Sequence, residues 1–326
     1  MSKILVTGAS GFTGKALCRA LIQEGEQVVA FVRPTSKTQE LRSLGVEIRQ
    51  VDIKNRTEVH DNFSDLSKVY HIAAAWRTEH SDIEEFTLVN VEATRNLLDA
   101  AKAARVKRFI HCSTVGVQGH IDEIPADEDY RYNPGDHYQR TKMQGEIVAR
   151  EFFSNGLSGV VIRPAGIYGP GDTRFSKLFC PINKGYFVMI GSGKALYHFV
   201  YIDDLVDGIM LAGQKPEALG EVFTIAGEKF ISLRELVDLI VDILEKPRPK
   251  LHIPFYPVYV AALLCENACR LLRIDPPLYP RRVNFFRKDR AFAIDKAKRV
   301  LGFTPRLSLR EGLERTISWH REKGLI

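Results

Sequence analysis

Through the first half of the chain, short apolar runs alternate with longer stretches of helical period. Lys3–Thr7, Gln27–Val32, Val46–Val51, Lys68–Ala73 and Lys107–Ser113 are rich in Val and Ile and nearly continuous. Strands buried on both faces read this way, whereas half-exposed strands alternate. Between them lie helical patterns at Phe12–Glu24, Thr38–Leu44, Arg56–Asn62 and Ile83–Ala104. A sixth unit follows, with a helix at Tyr138–Phe153 and a strand at Ser158–Pro164. Strand and helix in strict alternation imply right-handed crossovers: an α/β fold with a doubly wound parallel sheet, helices on both faces.

After Pro164 the rhythm changes. Glycine and proline cluster over Arg163–Asp172, and the later pieces are mixed. They are a strand at His198–Ile202, a helix at Asp203–Ala212, a strand at Glu221–Ala226 and a helix at Ser232–Glu245. An apolar stretch at Pro257–Leu272 and a last helix at Ser308–Lys323 follow. The expected division is a parallel-sheet unit over 1–165, joined by a return strand near 221–226 and the helix 203–213. Most of 166–326 then forms a smaller mixed lobe.

Composition narrows the classes. The 326 residues are 45% hydrophobic and 26% charged, ordinary globular composition. No run approaches the roughly 18 apolar residues needed to span a bilayer. The five cysteines show no metal-ligand spacing, so no metal and a reduced, cytoplasmic setting are expected. Net charge is +6, with ten Lys/Arg against three Asp/Glu between Arg270 and Arg299. No nucleic-acid motif accompanies that excess, which reads as a solvated basic face.

The chemistry begins in "TGASGFTG", where Gly8, Gly11 and Gly14 separate the first strand from its helix. Glycines there let backbone approach a pyrophosphate, and the helix start offers free N–H groups. Tyr138 and Lys142, in "YQRTK", stand four apart and share one helix face. An ammonium beside a phenol favours the phenolate, which suits a tyrosine to acid–base work.

These pieces, with "HIAAA", "VNVEATRNLL", "HCSTVGVQG", "RPAGIYGPGD" and "HFVYIDDLVDGI" in that order, resemble the extended branch of the short-chain dehydrogenase/reductase family. This is the epimerase/dehydratase superfamily; within it, 3β-hydroxysteroid or sterol dehydrogenases and dihydroflavonol-type reductases are nearest in flavour. The resemblance implies a Rossmann-type sheet, an NAD(P) cofactor and frequent homodimers. It implies Thr114, Tyr138 and Lys142 as the catalytic set, with Ser113 as the neighbour to Thr114 should the register differ by one. It implies cofactor contacts from Gly8, Gly11, Phe12, Thr13, Gly14, Arg33, Asp52, Ile53, Ala73, Ala74, Ala75, Asn90, Tyr138, Lys142, Pro164 and Ile167. The family's glycine after this asparagine is Ala93 here, which puts close helix packing in question. Strand two ends in Arg33 rather than a carboxylate, which favours NADP over NAD, since a guanidinium pairs with a 2′-phosphate.

Two positions argue against a nucleotide sugar. Where epimerases of the family carry an asparagine and an arginine for the diphosphate, this chain has Gly166 and Tyr197. The expected reaction is hydride transfer at a hydroxyl or ketone carbon of an apolar or ring substrate. The alternatives are a nucleotide-sugar 4-epimerase and a non-catalytic dinucleotide-sensing scaffold. Pro257–Leu272 reads most simply as lobe core; peripheral membrane contact through 255–290 is the sharper alternative. Trp76 either lines the cleft or packs.

Overall fold

The computed structural model describes residues 3–75, 83–249, 251–272, 274 and 276–326. The first half runs β1 (Lys3–Thr7), α1 (Phe12–Gln23), β2 (Val28–Val32), α2 (Gln39–Ser43), β3 (Glu47–Gln50), α3 (Arg56–Asp61), β4 (Leu66–His71), α4 (Ile83–Thr87), α5 (Ala93–Ala103), β5 (Arg108–Cys112), α6 (His137–Ser154) and β6 (Gly159–Pro164). The second half runs β7 (Gly166–Tyr168), α7 (Ser176–Asn183), β8 (Met189–Ile190), β9 (Leu196–Tyr197), β10 (Phe199–Tyr201), α8 (Ile202–Gln214), β11 (Val222–Ile225), β12 (Ile231–Ser232), α9 (Leu233–Leu244), β13 (His252–Ile253), α10 (Phe255–Leu272), α11 (Pro280–Val283) and α12 (Leu309–Glu322).

Seven strands form one parallel sheet in the order β3-β2-β1-β4-β5-β6-β11. Strand-period alternation sends Ile4 and Val6 into one apolar core and Leu5 into the other. Both faces are therefore covered, which is why these strands read as unbroken apolar runs. The winding reverses between β1 and β4. Ligands of such sheets bind in the crevice at the strands' C-terminal ends, where the order reverses. The expected return strand is β11, hydrogen-bonded in parallel to β6 at the sheet edge.

The helix expected as one piece over Ile83–Ala104 is broken. A π-helical turn, Leu88–Glu92, separates α4 from α5 and carries the buried Asn90. Single π turns of this kind often mark functional sites. Ser232 and Ser308, expected as first helical residues, are instead N-caps. Each accepts from the backbone N–H three residues on, and Glu235 or Glu311 returns the bond as a capping box. A third apolar core packs α7, α9 and α12 against Tyr168, Tyr197 and Tyr201. Helix α7 gave no helical signal in the sequence: it is short and holds Pro181.

The reading of Pro257–Leu272 as lobe core is corrected. Helix α10 begins at Phe255, and among its described side chains Ala262 and Cys269 are buried. Tyr256, Val260, Leu263, Leu264 and Leu272 are exposed, while Phe255, Val258 and Tyr259 are half-buried.

Candidate active site

The glycine loop closes on its neighbours. Gly8 has a φ of +69°, and a Cβ there would stand 2.7 Å from the backbone nitrogen of Ala73. A Cβ on Gly14 would stand 2.2 Å from the carbonyl oxygen of Gly8. Only glycine permits either approach. Gly11 is the N-cap of α1 and provides no side-chain cap, so the first N–H groups of this 12-residue helix remain available to an anion. Phe12 opens the helix and its ring lies 3.3 Å from where a Cβ on Gly171 would be, joining the loop to the Gly169–Asp172 turn. This cradle fits the pyrophosphate of a dinucleotide.

Arg33 follows β2 beside this loop. It is exposed and pairs with no described residue. Beyond β3, one Asp52 carboxylate oxygen receives the N–H of Lys54, which shapes the turn. Asn96 holds the carbonyls of Ile53 and Lys54.

Behind the Ala73–Ala75 loop runs a buried chain of hydrogen bonds. The Ala73 N–H donates to Thr7 Oγ1, which lies 2.7 Å from His71 Nδ1. His71 Nε2 lies 2.9 Å from Thr94 Oγ1, and Thr94 donates to the Asn90 carbonyl. Each hydroxyl has one proton, so Thr94 has none left for His71. His71 therefore carries its proton on Nε2 and accepts at Nδ1. Burial, then the Lys142 charge, pushes the His71 pKa down to about 3, so the ring is neutral.

Asn90, expected among the cofactor contacts, is bonded to two neighbouring elements of the protein. Its Oδ1 accepts the Ala75 N–H at 2.8 Å and its Nδ2 donates to Thr141 Oγ1 at 3.0 Å. At 1% exposure it clasps the loop after β4 to α6 from behind. The doubt raised by Ala93 is answered on α6. A Cβ on Gly145 would stand 2.1 Å from the Asn90 carbonyl, so the glycine that permits close contact lies on the opposite helix.

Helix α6 begins at His137, with the Asp136 side chain accepting from Gln139 N–H. Tyr138 thus lies in the first turn, half-buried, at the positive end of the helix dipole. The ring of Phe86 meets the Tyr138 ring edge-on at 6.4 Å. Lys142 is buried, and its ammonium donates to the Cys112 carbonyl at the end of β5 at 2.6 Å. Burial, opposed by Cys112 and Glu146, lowers its pKa below the usual lysine range. Two N–H donors remain on that ammonium.

Thr114 follows Cys112 by two residues. Its Oγ1 accepts the Gly116 N–H at 3.1 Å, which leaves the hydroxyl proton free to donate. Gln139 touches Gly116 from α6, next to Tyr138. Ser113 is not interchangeable with Thr114. It is buried and donates to Glu146, which also receives the Arg163 guanidinium at 2.6 Å. Sequence reasoning missed this buried Glu146–Arg163 pair, although Glu146 falls one helical turn after Lys142. Pro164 is buried at the end of β6 and Ile167 is half-buried in β7.

On the lobe side, a side chain at Gly166 would meet the Phe199 ring at 2.8 Å, so the strand pairing of β7 with β10 excludes one. Tyr197 is buried; its hydroxyl donates to the Phe285 carbonyl and receives Arg290 Nη1 at 3.1 Å. A cavity of about 260 Å³ lies nearby, lined in part by Ser192, Phe255, Tyr256, Arg287 and Asp289. The intervening Lys288 reaches the turn before α6, 3.4 Å from where a Cβ on Gly135 would be. Trp76 lies outside the described residues.

The family model described as NAD dependent epimerase/dehydratase family matches residues 4–226. The chain is 31% identical to "Sterol demethylase protein B" of Methylococcus capsulatus, over 99% of each chain. It is 30% identical to "2-alkyl-3-oxoalkanoate reductase" of Stenotrophomonas maltophilia, over 96% of this chain and 98% of that one. Among solved structures, UDP-glucuronic acid 4-epimerase from Bacillus cereus in complex with NAD superposes with a TM-score of 0.79 at 27% identity. That match covers 98% of this chain and 99% of the other.

Proposed function

We propose that this chain, which belongs to the NAD-dependent epimerase/dehydratase family, is an NAD(P)-dependent oxidoreductase acting on the hydroxyl or ketone carbon of an apolar or ring substrate. The observation that carries the reading is the Lys142–Cys112 hydrogen bond. It ties the helix bearing Tyr138 to the strand end bearing Thr114, at the end of the sheet where the glycine loop also lies.

A nicotinamide dinucleotide, when bound, supplies or takes the hydride. Tyr138 gives a proton to the substrate oxygen on reduction, or takes one on oxidation. Thr114 donates its free hydroxyl proton to that oxygen and orients it. Lys142 offers its two remaining N–H groups to the ribose hydroxyls. The first turn of α1 and Gly8–Gly14 hold the pyrophosphate, Asp52 and Ile53 the adenine, and Ala73–Ala75 the backbone path. Arg33 holds a 2′-phosphate, which makes NADP the preferred cofactor. In this division, 1–165 with 203–213 and 221–226 bind dinucleotide, and the remaining lobe binds substrate. A homodimer and a cytoplasmic setting belong to the same reading; the five cysteines are free thiols.

An apolar substrate is supported by what the lobe lacks. Gly166 offers no side chain, and the Tyr197 hydroxyl is already engaged. Each missing charged hydrogen bond to a diphosphate would forgo roughly 1.5–3 kcal/mol. The relatives named as acting on a sterol and on an alkyl oxoalkanoate point the same way. The second reading is a nucleotide-sugar 4-epimerase, favoured by the Arg290 guanidinium 5.2 Å from the Tyr197 ring centre. A panel of sterols, alkyl ketones and aromatic carbonyls beside UDP-, GDP- and dTDP-sugars decides between them, with cofactor absorbance and a product assay as readouts. Turnover of a nucleotide sugar alone would promote the epimerase.

A further inference from the structure

Helix α10 is built inside out. Tyr256, Val260, Leu263 and Leu264 recur at the spacing of one helix face. They are 67%, 53%, 38% and 67% exposed, whereas Ala262 on the opposite side is fully buried. Leu251 and Ile253 before this face in the chain, and Leu272 and Ile274 after it, are exposed as well. Monomeric soluble proteins rarely leave so many large apolar side chains on one helix face uncovered.

Charge says what covers it. Residues 251–290 contain seven Lys/Arg and three Asp/Glu. Arg270 is exposed on the edge of the apolar face, one heptad from Leu263. Arg287 is exposed at its start, with its guanidinium 5.5 Å and 5.7 Å from the ring centres of Phe255 and Tyr256. A two-fold copy seated on the same face would set Arg270 against the copy's Arg287 or Arg270, cation against cation. An anionic lipid surface neutralises them instead. No described helix, α10 included, is long and apolar enough to cross a membrane.

The first turn of α10 serves two surfaces. Phe255 and Tyr256 line the cavity beside Asp289, and Tyr256 also begins the outward apolar face. We propose that α10 docks this protein on an anionic membrane and holds the cavity mouth against the bilayer, from which an apolar substrate enters. The entry half rests on the proposed oxidoreductase reading; the docking half does not.

The test is co-sedimentation of the full chain with phosphatidylcholine vesicles, with and without phosphatidylglycerol. The expected result is pelleting that requires phosphatidylglycerol and weakens with salt. A Val260→Glu/Leu264→Glu double variant should lose roughly tenfold or more of that partitioning, with unchanged NADPH binding and unfolding midpoint, since both positions are exposed. Fluorescence of a Tyr256→Trp variant should be quenched by brominated lipid. Failure to pellet, pelleting indifferent to the double variant, or a dimer in light scattering that the double variant dissolves would overturn docking. Pelleting without quenching at position 256 would overturn the placement of the cavity mouth. Turnover is not needed for any of these readouts, so loss of docking leaves the oxidoreductase reading standing. Docking by an inactive protein would do the reverse.

Discussion

The ammonium of Lys142 donates to the carbonyl oxygen of Cys112 at 2.6 Å, with both residues buried. The bond joins α6 to the end of β5, so one side chain both anchors the fold and holds the distance between Tyr138 and Thr114. Lys142→Ala should therefore damage more than chemistry. It removes a buried hydrogen bond to a charged group, worth roughly 1.5–3 kcal/mol. Thermal unfolding should shift down together with the loss of NADPH affinity. An unchanged unfolding midpoint would mean that the Cys112 contact contributes no stability.

Arg33 should set the cofactor. Wild-type protein should bind NADPH more tightly than NADH by roughly 10- to 100-fold, the value of one charged hydrogen bond to the 2′-phosphate. Arg33→Asp should reverse the order, since a carboxylate there accepts from a ribose hydroxyl and repels phosphate. Calorimetric titration with both cofactors reads this directly. Equal affinities before and after the change would detach Arg33 from the phosphate.

Gly145 should tolerate no side chain. Alanine in a helix interior ordinarily gains about 1 kcal/mol over glycine. Here the new Cβ would stand 2.1 Å from the Asn90 carbonyl oxygen, which is backbone and cannot swing away. The clash should win, and Gly145→Ala should destabilise by roughly 1–3 kcal/mol. Denaturant unfolding measures the sign, and stabilisation would show that α6 moves off the π turn at little cost.

Buried histidines should make the fold acid-sensitive. Burial lowers the pKa of His71 to about 3, and lowers His111 and His198 as well. The unfolded chain takes up protons near 6.5 that the folded chain refuses. Stability should be full above that value and fall as pH drops from 6.5 toward 3. His111 is buried, with no hydrogen-bond partner on either ring nitrogen among the described residues. His111→Leu should hold or raise stability at pH 7 and flatten the loss between pH 6.5 and 5, measured as unfolding free energy. A steeper loss in the variant would contradict the neutral, unpartnered ring.

The sheet was legible because its strands are buried on both faces and so announce themselves as apolar runs such as Val28–Val32. The glycine loop was legible because strand, glycines and helix follow one another locally. The bonds of Asn90 were not legible, because its partners, Ala75 and Thr141, are brought together only by tertiary packing. The same holds for Glu146 with Arg163. The identity of the close-packing glycine was also non-local: Gly145 lies on α6, whereas the resemblance directed attention to Ala93. Helix α10 misled because an apolar period is the same whether its face turns inward or outward.

The central claim is that Tyr138 moves the proton on the substrate oxygen. Tyr138→Phe keeps the ring that meets Phe86 at 6.4 Å and removes only the hydroxyl. The most direct measurement compares turnover and NADPH affinity of this variant with wild type, on whichever carbonyl or alcohol the panel identifies. The predicted result is a fall in kcat of roughly 10²- to 10⁴-fold with cofactor affinity unchanged. Retention of most of the wild-type kcat would contradict the claim and assign the proton to another group.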